Sequence, residues 1–458
     1  MRDTLSSGLY VGLVLVAACV AQAASAATQD EPRQQICVSD RNDALERVID
    51  SYWDAIKRMS VVRAIGVTEM TPVDVPDRIE RIDADIRNYL RAAGGKRAVF
   101  ILYAGRNSEG CAFVWTSSGE TLYVQLPRSI GAVSDTVRRL LPLAEVEAHK
   151  RGKAARSRGL APVGESVKKG DAASIIGELS NALLPAALRE AVKDAAELTL
   201  FAPGLLSSVP FAALSVDSSD VRLGERVQIL SLPFLADVTK VMPRLRTRFP
   251  PGVWWVWVPG FESARVVGDP AAGNDAEFIL PPLPGARAEA RHAVSAFAGR
   301  LLEGEEARAR AVSDAFKESD FFYFAGHAVA DPDDPLDRSF LAVHGGRLTA
   351  REIQYMTAAR APVVVLSACQ TGGGRAMTAG MVGLARAFRL AGAAAVVVSL
   401  WSVNDEATAR LMQTFINRLR IDPPAEALRA AVADAREHGI SLLDRSAFIV
   451  FASGTMTR

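Results

Sequence analysis

The sequence predicts an α/β fold: a mostly parallel sheet flanked by helices, preceded by a small β-rich subdomain and N-terminal helices. Three observations carry this. From about residue 195 onward, short wholly apolar runs such as Pro362-Val363-Val364-Val365-Leu366 alternate with amphipathic stretches. Strands without polar alternation are buried on both faces, and the helices between them supply the cover. Between residues 98 and 124, three short β-rich runs follow one another with only turn residues between, which reads as a small antiparallel sheet. The chain also has 458 residues, 49% of them hydrophobic, enough for two or three domains with a large core.

The elements follow in order. Residues 1–26 read as a secretory signal peptide: the run Gly12 to Val20 is apolar and Ala24-Ser25-Ala26 suits signal peptidase. Two alternatives stay open. Val16-Ala17-Ala18-Cys19 resembles a lipobox, which would lipidate Cys19, and an uncleaved segment would serve as an anchor. Residues 27–94 form a helical N-terminal region, with Leu45, Val48, Ile49, Trp53 and Ile56 on one face and Ile79, Ile82, Ile86 and Leu90 on another. Residues 95–194 form the β-rich and helical subdomain. Within it the segment 150–169 holds seven Lys or Arg and one acid, Glu165, and reads as a basic surface loop. The last domain spans residues 195–458. Its expected strands are 198–201, 253–258, 320–325, 362–366, 394–400 and 448–451, the last closing the sheet. Its expected helices are 286–297, 382–390, 405–419 and 425–437.

Formal net charge is +1, which gives no global reason to expect nucleic-acid binding. Four cysteines are present: Cys19, Cys37, Cys111 and Cys369. In an oxidising compartment Cys37 and Cys111 are the natural pair, with Cys369 free; all three reduced and buried is the alternative. No metal or cofactor constellation is apparent. Glu289 and His292 share a helix face and read as a solvated pair.

Chemistry in open α/β sheets gathers at the carboxyl ends of strands. His327 follows the strand 320–325 through Gly326, and Cys369 follows the strand 362–366 through Ser367-Ala368. An imidazole beside a thiol raises its thiolate fraction and later protonates a leaving amine. Backbone N–H groups of Cys369 and Ala328 could hold a developing oxyanion. A cysteine at a strand end also serves as a small core residue, and a single histidine as a bonded core group.

Several spaced motifs resemble those of CHAT-domain proteins, in the caspase-like clan of cysteine peptidases. They are Phe322-Tyr323-Phe324-Ala325-Gly326-His327, the run Val363 to Gly372 around Cys369, Gly383-Leu384-Ala385-Arg386-Ala387-Phe388 and Ser399-Leu400-Trp401-Ser402-Val403-Asn404-Asp405. Upstream, Pro203-Gly204-Leu205 and Leu283-Pro284-Gly285-Ala286 also fit. The resemblance implies a caspase-like sheet and a catalytic dyad of His327 and Cys369, in the order His before Cys that caspases share. Caspase-like enzymes usually carry Gly after the His; Ala328 keeps the N–H but restricts the backbone. The segment ending at Asp405 resembles the one that binds a basic side chain in separases. This implies cleavage after Lys or Arg, including cleavage within the chain's own basic loop. The alternative is that Asp405 caps helix 405–419.

The function expected is an exported bacterial cysteine endopeptidase acting on a protein or peptide. The N-terminal helices are the expected surface for a regulatory protein partner. A catalytically inactive module binding peptides in the same cleft is the main alternative. A thiol acyltransferase or hydrolase acting on other substrates is a third.

Overall fold

Wholly apolar runs bounded by small or turn residues become the buried strands, and the polar-faced stretches between them become the helices that cover them. The computed structural model describes residues 35–64, 79–92, 97–150, 172–232, 235, 238, 261–270, 282–331, 334–368, 375–377 and 380–452. The chain divides into two units, residues 1–36 and 37–458. Of the first, Gln35 and Ile36 are described. The second carries α1 (Arg41–Ala64), α2 (Ile79–Ala92), β1 (Ala98–Arg106), β2 (Glu109–Thr116), β3 (Thr121–Gln125), α3 (Ile130–Lys150), α4 (Ala172–Leu183), α5 (Ala186–Lys193), β4 (Glu197–Phe201), α6 (Leu223–Arg226) and β5 (Gln228–Ser231). Next come β6 (Ala264–Gly268), α7 (Pro284–Phe297), β7 (Arg300–Glu303), α8 (Ala309–Glu318), β8 (Phe321–Ala325), β9 (Ala328–Val329), β10 (Phe340–Val343), β11 (Gly346–Thr349) and α9 (Ala350–Gln354). The rest are β12 (Val363–Ser367), β13 (Arg375–Met377), β14 (Gly380–Val382), α10 (Leu384–Leu390), β15 (Ala395–Ser399), α11 (Asp405–Leu419), α12 (Pro424–Glu437), α13 (Leu442–Arg445) and β16 (Phe448–Ala452).

One sheet of eleven strands dominates, in the order β3-β2-β1-β4-β5-β16-β15-β12-β8-β6-β7. Strands β1, β4, β5 and β16 run parallel to one another. So do β15, β12, β8, β6 and β7. The two blocks meet antiparallel at β15 and β16. The carboxyl ends of the two blocks therefore point in opposite directions along the strands of one continuous sheet. Every residue of β8, β12, β15 and β16 is buried, as their predominantly apolar sequences require.

Two expectations need correction, and one strand was missed. The runs in 98–124 are antiparallel to one another, but β1 pairs in parallel with β4, so they extend the main sheet rather than form their own. Phe448–Ala452 does not close the sheet at an edge; it lies in the middle and joins the two blocks. The strand beside β8 is β6, which the periodicity did not single out; the expected strand 253–258 lies outside the described residues.

The first block is fastened to the N-terminal segment by covalent and ionic ties. Cys37 and Cys111 form a disulfide. The Cys37 N–H donates to the Glu109 carboxylate at 2.9 Å, and the Tyr123 hydroxyl donates to the Val38 carbonyl at 2.6 Å. Asp83 of α2 accepts from Arg87 Nε at 2.6 Å, Trp115 Nε1 at 2.7 Å and Arg41 at 3.1 Å. Burial alone would raise its pKa, but hydrogen bonds from Arg87, Trp115 and Arg41 win and hold the carboxyl below its usual range.

The blocks are also joined beside the sheet. The Glu225 side chain of α6, only 2% exposed, pairs with Arg436 of α12 at 3.1 Å and Arg445 of α13 at 3.3 Å. Its carbonyl accepts from Arg429 at 3.0 Å. A shallow apolar cleft lies here, lined by Phe211, Val227, Ile229, Leu428, Val432 and Phe448 among others. No helix among the described residues is long and apolar enough to cross a membrane.

Candidate active site

Strand β8 reads Phe-Phe-Tyr-Phe-Ala, a five-residue apolar run that must be covered on both faces. Its last residue, Ala325, is in register with Gly268 of β6 and Ser367 of β12. His327 lies two residues beyond Ala325, and in sequence Cys369 lies two residues beyond Ser367. Cys369 itself is outside the described residues. The backbone on the His side is held on both flanks: the Gly326 N–H donates to the Ser367 carbonyl at 3.4 Å, and the Ala342 N–H donates to the His327 carbonyl at 3.0 Å. His327 is 4% exposed. On the other side, the Ser399 hydroxyl of β15 donates to the carbonyl of Ala368, the residue before Cys369.

Ala328 opens β9 and sits opposite Leu341 of β10. The bond from Ala342 to His327 makes 327 and 342 a hydrogen-bonded pair. In an antiparallel ladder the next pair is then the non-bonded kind, so the Ala328 N–H points away from β10. The described non-glycine residues with positive φ are Asp269, Ala298 and Ala361, so Ala328 needs no conformation reserved for glycine. The small-for-smaller exchange after the histidine is thereby accommodated as an ordinary strand residue.

Asp405 lies against the start of α7. Its carboxylate is buried, and it accepts from the N–H groups of Gly285 at 2.7 Å and Ala286 at 3.1 Å. It therefore serves the N-terminus of α7, while it also stands in the first turn of its own helix. The side chain of Asn404 caps α11 by accepting from the Ala407 N–H at 3.0 Å.

Asp269, which the sequence pattern did not single out, ends β6. Its N–H donates to the Ala325 carbonyl at 2.7 Å, and its carboxylate accepts from the Leu283 N–H at 3.0 Å and Arg287 Nε at 2.8 Å. The signal available was Gly268-Asp269-Pro270, a turn cluster closing an apolar run. Glu289 is a further correction: it is buried, not solvated, and accepts from the Tyr323 hydroxyl of β8. His292 instead meets Asn417 at 2.9 Å. Among the described residues, no group of three or more His, Cys, Asp or Glu could hold a metal ion.

Comparisons with known proteins bear on the family and the fold. A mouse protein, tetratricopeptide repeat protein 28 of Mus musculus, is 25% identical over an alignment of 262 residues covering 49% of this chain. That alignment spans 10% of the mouse protein. The separase of the Saccharomyces cerevisiae separase–securin complex superposes with a TM-score of 0.52 at 10% identity, over 91% of this chain and 34% of that one. The complex of Porphyromonas gingivalis RgpB pro- and mature domains gives 0.40 at 12% identity, over 63% of this chain and 73% of that one. The separase likeness bears on the fold alone, and it is the caspase-like fold that the motifs implied. The family model of the CHAT domain matches residues 174–443, more than half of the sequence. The chain belongs to the CHAT domain family.

Proposed function

We propose that this chain is an exported cysteine endopeptidase in which His327 and Cys369 form the catalytic dyad. The observation that carries the proposal is the register of β8 and β12. Ala325 and Ser367 are paired, and each candidate residue lies two positions further along its strand's path. Neighbouring strands are about 4.8 Å apart, so groups leaving them at equal offset start within side-chain reach.

In this mechanism His327 takes the thiol proton of Cys369, and the thiolate attacks the peptide carbonyl. The oxyanion is held by the N–H groups of Ala328 and Cys369; one such donor is worth about 3 kcal/mol in comparable sites. The C–N bond breaks as the imidazolium gives its proton to the leaving amine. Water then hydrolyses the thioester and frees Cys369. The proposal does not depend on selection of a basic residue before the scissile bond; each Asp405 oxygen accepts one N–H from the start of α7. The basic segment expected as its own target, beyond Lys150, is outside the described residues.

Export is supported by the disulfide between Cys37 and Cys111, since such bonds persist in oxidising compartments. The presence of securin in the separase complex supports regulation by a protein partner, for which we assign the surface of α1 and α2. The burial of His327 favours a second reading, a silent module that binds peptides without cutting them.

Labelling with a peptidyl acyloxymethyl ketone separates the two. An active dyad is modified at Cys369 in wild type and not after His327→Ala, whose turnover should fall by about 10²- to 10⁴-fold. Peptidase activity that survives Cys369→Ala would remove the dyad. Intact-mass measurement on envelope fractions tests export: a chain beginning at Ala27, or a lipid adduct on Cys19, supports it, and a full-length cytosolic chain refutes it.

A further inference from the structure

We infer that Asp405 is a positioning residue that ties the strand beside the cysteine strand to the strands beside the histidine, through the N-terminus of α7. The inference rests on the dyad proposed above.

Helix α7 starts without a cap of its own. Leu283 occupies the N-cap position and has no acceptor side chain, and Pro284 has no N–H to offer. The first intrahelical bond is from the Arg287 N–H to the Leu283 carbonyl at 3.1 Å. The free N–H groups of Gly285, half-buried, and Ala286, buried, have no partner within the helix. Asp405 takes both, from 120 and 119 residues away in sequence. The contact combines charge-assisted hydrogen bonds with a carboxylate at the positive end of a helix.

The fit is close enough to dictate the neighbouring residue. A Cβ on Gly285 would lie 2.5 Å from Asp405 Oδ2 and 2.7 Å from its carbonyl oxygen. Glycine is therefore required at 285 by the approach of Asp405, since its φ is not among the positive values.

The rest of α7 is fixed to the histidine side. Asp269, at the end of β6, binds the Leu283 N–H and the Arg287 side chain, and through its own N–H the carbonyl of Ala325. Glu289 accepts from Tyr323, four residues before His327. Asp405 itself follows β15, the neighbour of β12, whose Ser399 holds Ala368. One helix terminus thus connects the backbone two residues before His327 with the strand that holds the residue before Cys369. Displacing Asp405 would shift one side of the dyad against the other.

Two variants disturb this contact by different means. Asp405→Asn removes the charge and one acceptor, and Gly285→Ala pushes a methyl group into the carboxylate. Each is assayed on two peptides that differ only in Arg or Leu before the scissile bond, with thermal melting to confirm folding. Positioning predicts that kcat falls on the order of 10²-fold for both peptides, as sub-ångström to ångström misplacement does, with KM little changed. Asp405→Asn decides the matter should Gly285→Ala not fold. A loss confined to the Arg peptide and expressed in KM would make Asp405 a specificity residue and overturn the inference. Turnover equal to wild type in folded Asp405→Asn would overturn it while leaving the dyad standing. A wild type that neither turns over nor labels at Cys369 would overturn the dyad, and this inference with it.

Discussion

Strands β4 and β5 on one side of β16 and strands β8 and β12 on the other are similarly short and similarly parallel, yet they end differently. β4 runs into Ala202-Pro203-Gly204 and β5 into Leu232, residues with no side chain able to give or take a proton. β8 and β12 run into Gly326-His327 and Ala368-Cys369. The first block instead holds the disulfide and the Asp83 cluster, and Glu225 of its α6 reaches the helices between β15 and β16; these contacts fasten one element to another. The second block uses its buried carboxylates, Asp269, Glu289 and Asp405, around one helix next to the candidate site. One scaffold thus supports both uses, and the chemistry depends on the residues just past each strand's end, not on the strands themselves.

This division can be broken by mutations in the first block. The largest effect is expected from Cys37→Ser with Cys111→Ser. The bond joins residues 74 apart. Its loss should cost roughly 4 kcal/mol in chemical denaturation by the loop-entropy relation. Turnover by the native protein should be unchanged; a parallel loss of kcat would show that the blocks are coupled. Next is Glu225→Gln, which removes a buried anion from between Arg436 and Arg445. A loss of about 3 kcal/mol is expected, because the guanidinium groups stay behind uncompensated. A change under a few tenths of a kcal/mol would mean that the pairs do not hold the blocks together.

The smallest effect is expected at Asp83, and it has a pH signature. Its folded pKa lies below the ordinary carboxylate value, so the native state binds fewer protons than the unfolded one. That contribution is present above the unfolded pKa and disappears as pH falls through the folded one. Asp83→Asn should lower the melting temperature at neutral pH and narrow its gap to wild type in acid. A gap that is constant with pH would show that the charge contributes nothing.

Local pattern revealed what local physics decides. Predominantly apolar β8, β12 and β15 could be read directly, and with them the two strand ends that carry His327 and Cys369. β6 was harder because Arg265 interrupts it and the more apolar run 253–258 lies nearby. Glu289 looked solvated because its partner Tyr323 lies on another element. The task of Asp405 depends on donors more than a hundred residues away, which no window on the sequence contains. The central place of β16 depends on strand order, which hydrophobic periodicity does not encode.

The position of β16 bears on how the molecule is assembled during synthesis. Its partners were made much earlier: β15 ends at Ser399, and Phe451 pairs with Ser231 of β5. The two blocks can each collapse as their strands emerge, but they become one sheet only when residues 448–452 are inserted between them. Closing such long loops is entropically costly and slow, and until then β5 and β15 present unpaired edges. A chain released before Phe448 would therefore hold two incomplete sheets, with the seam between them open to aggregation.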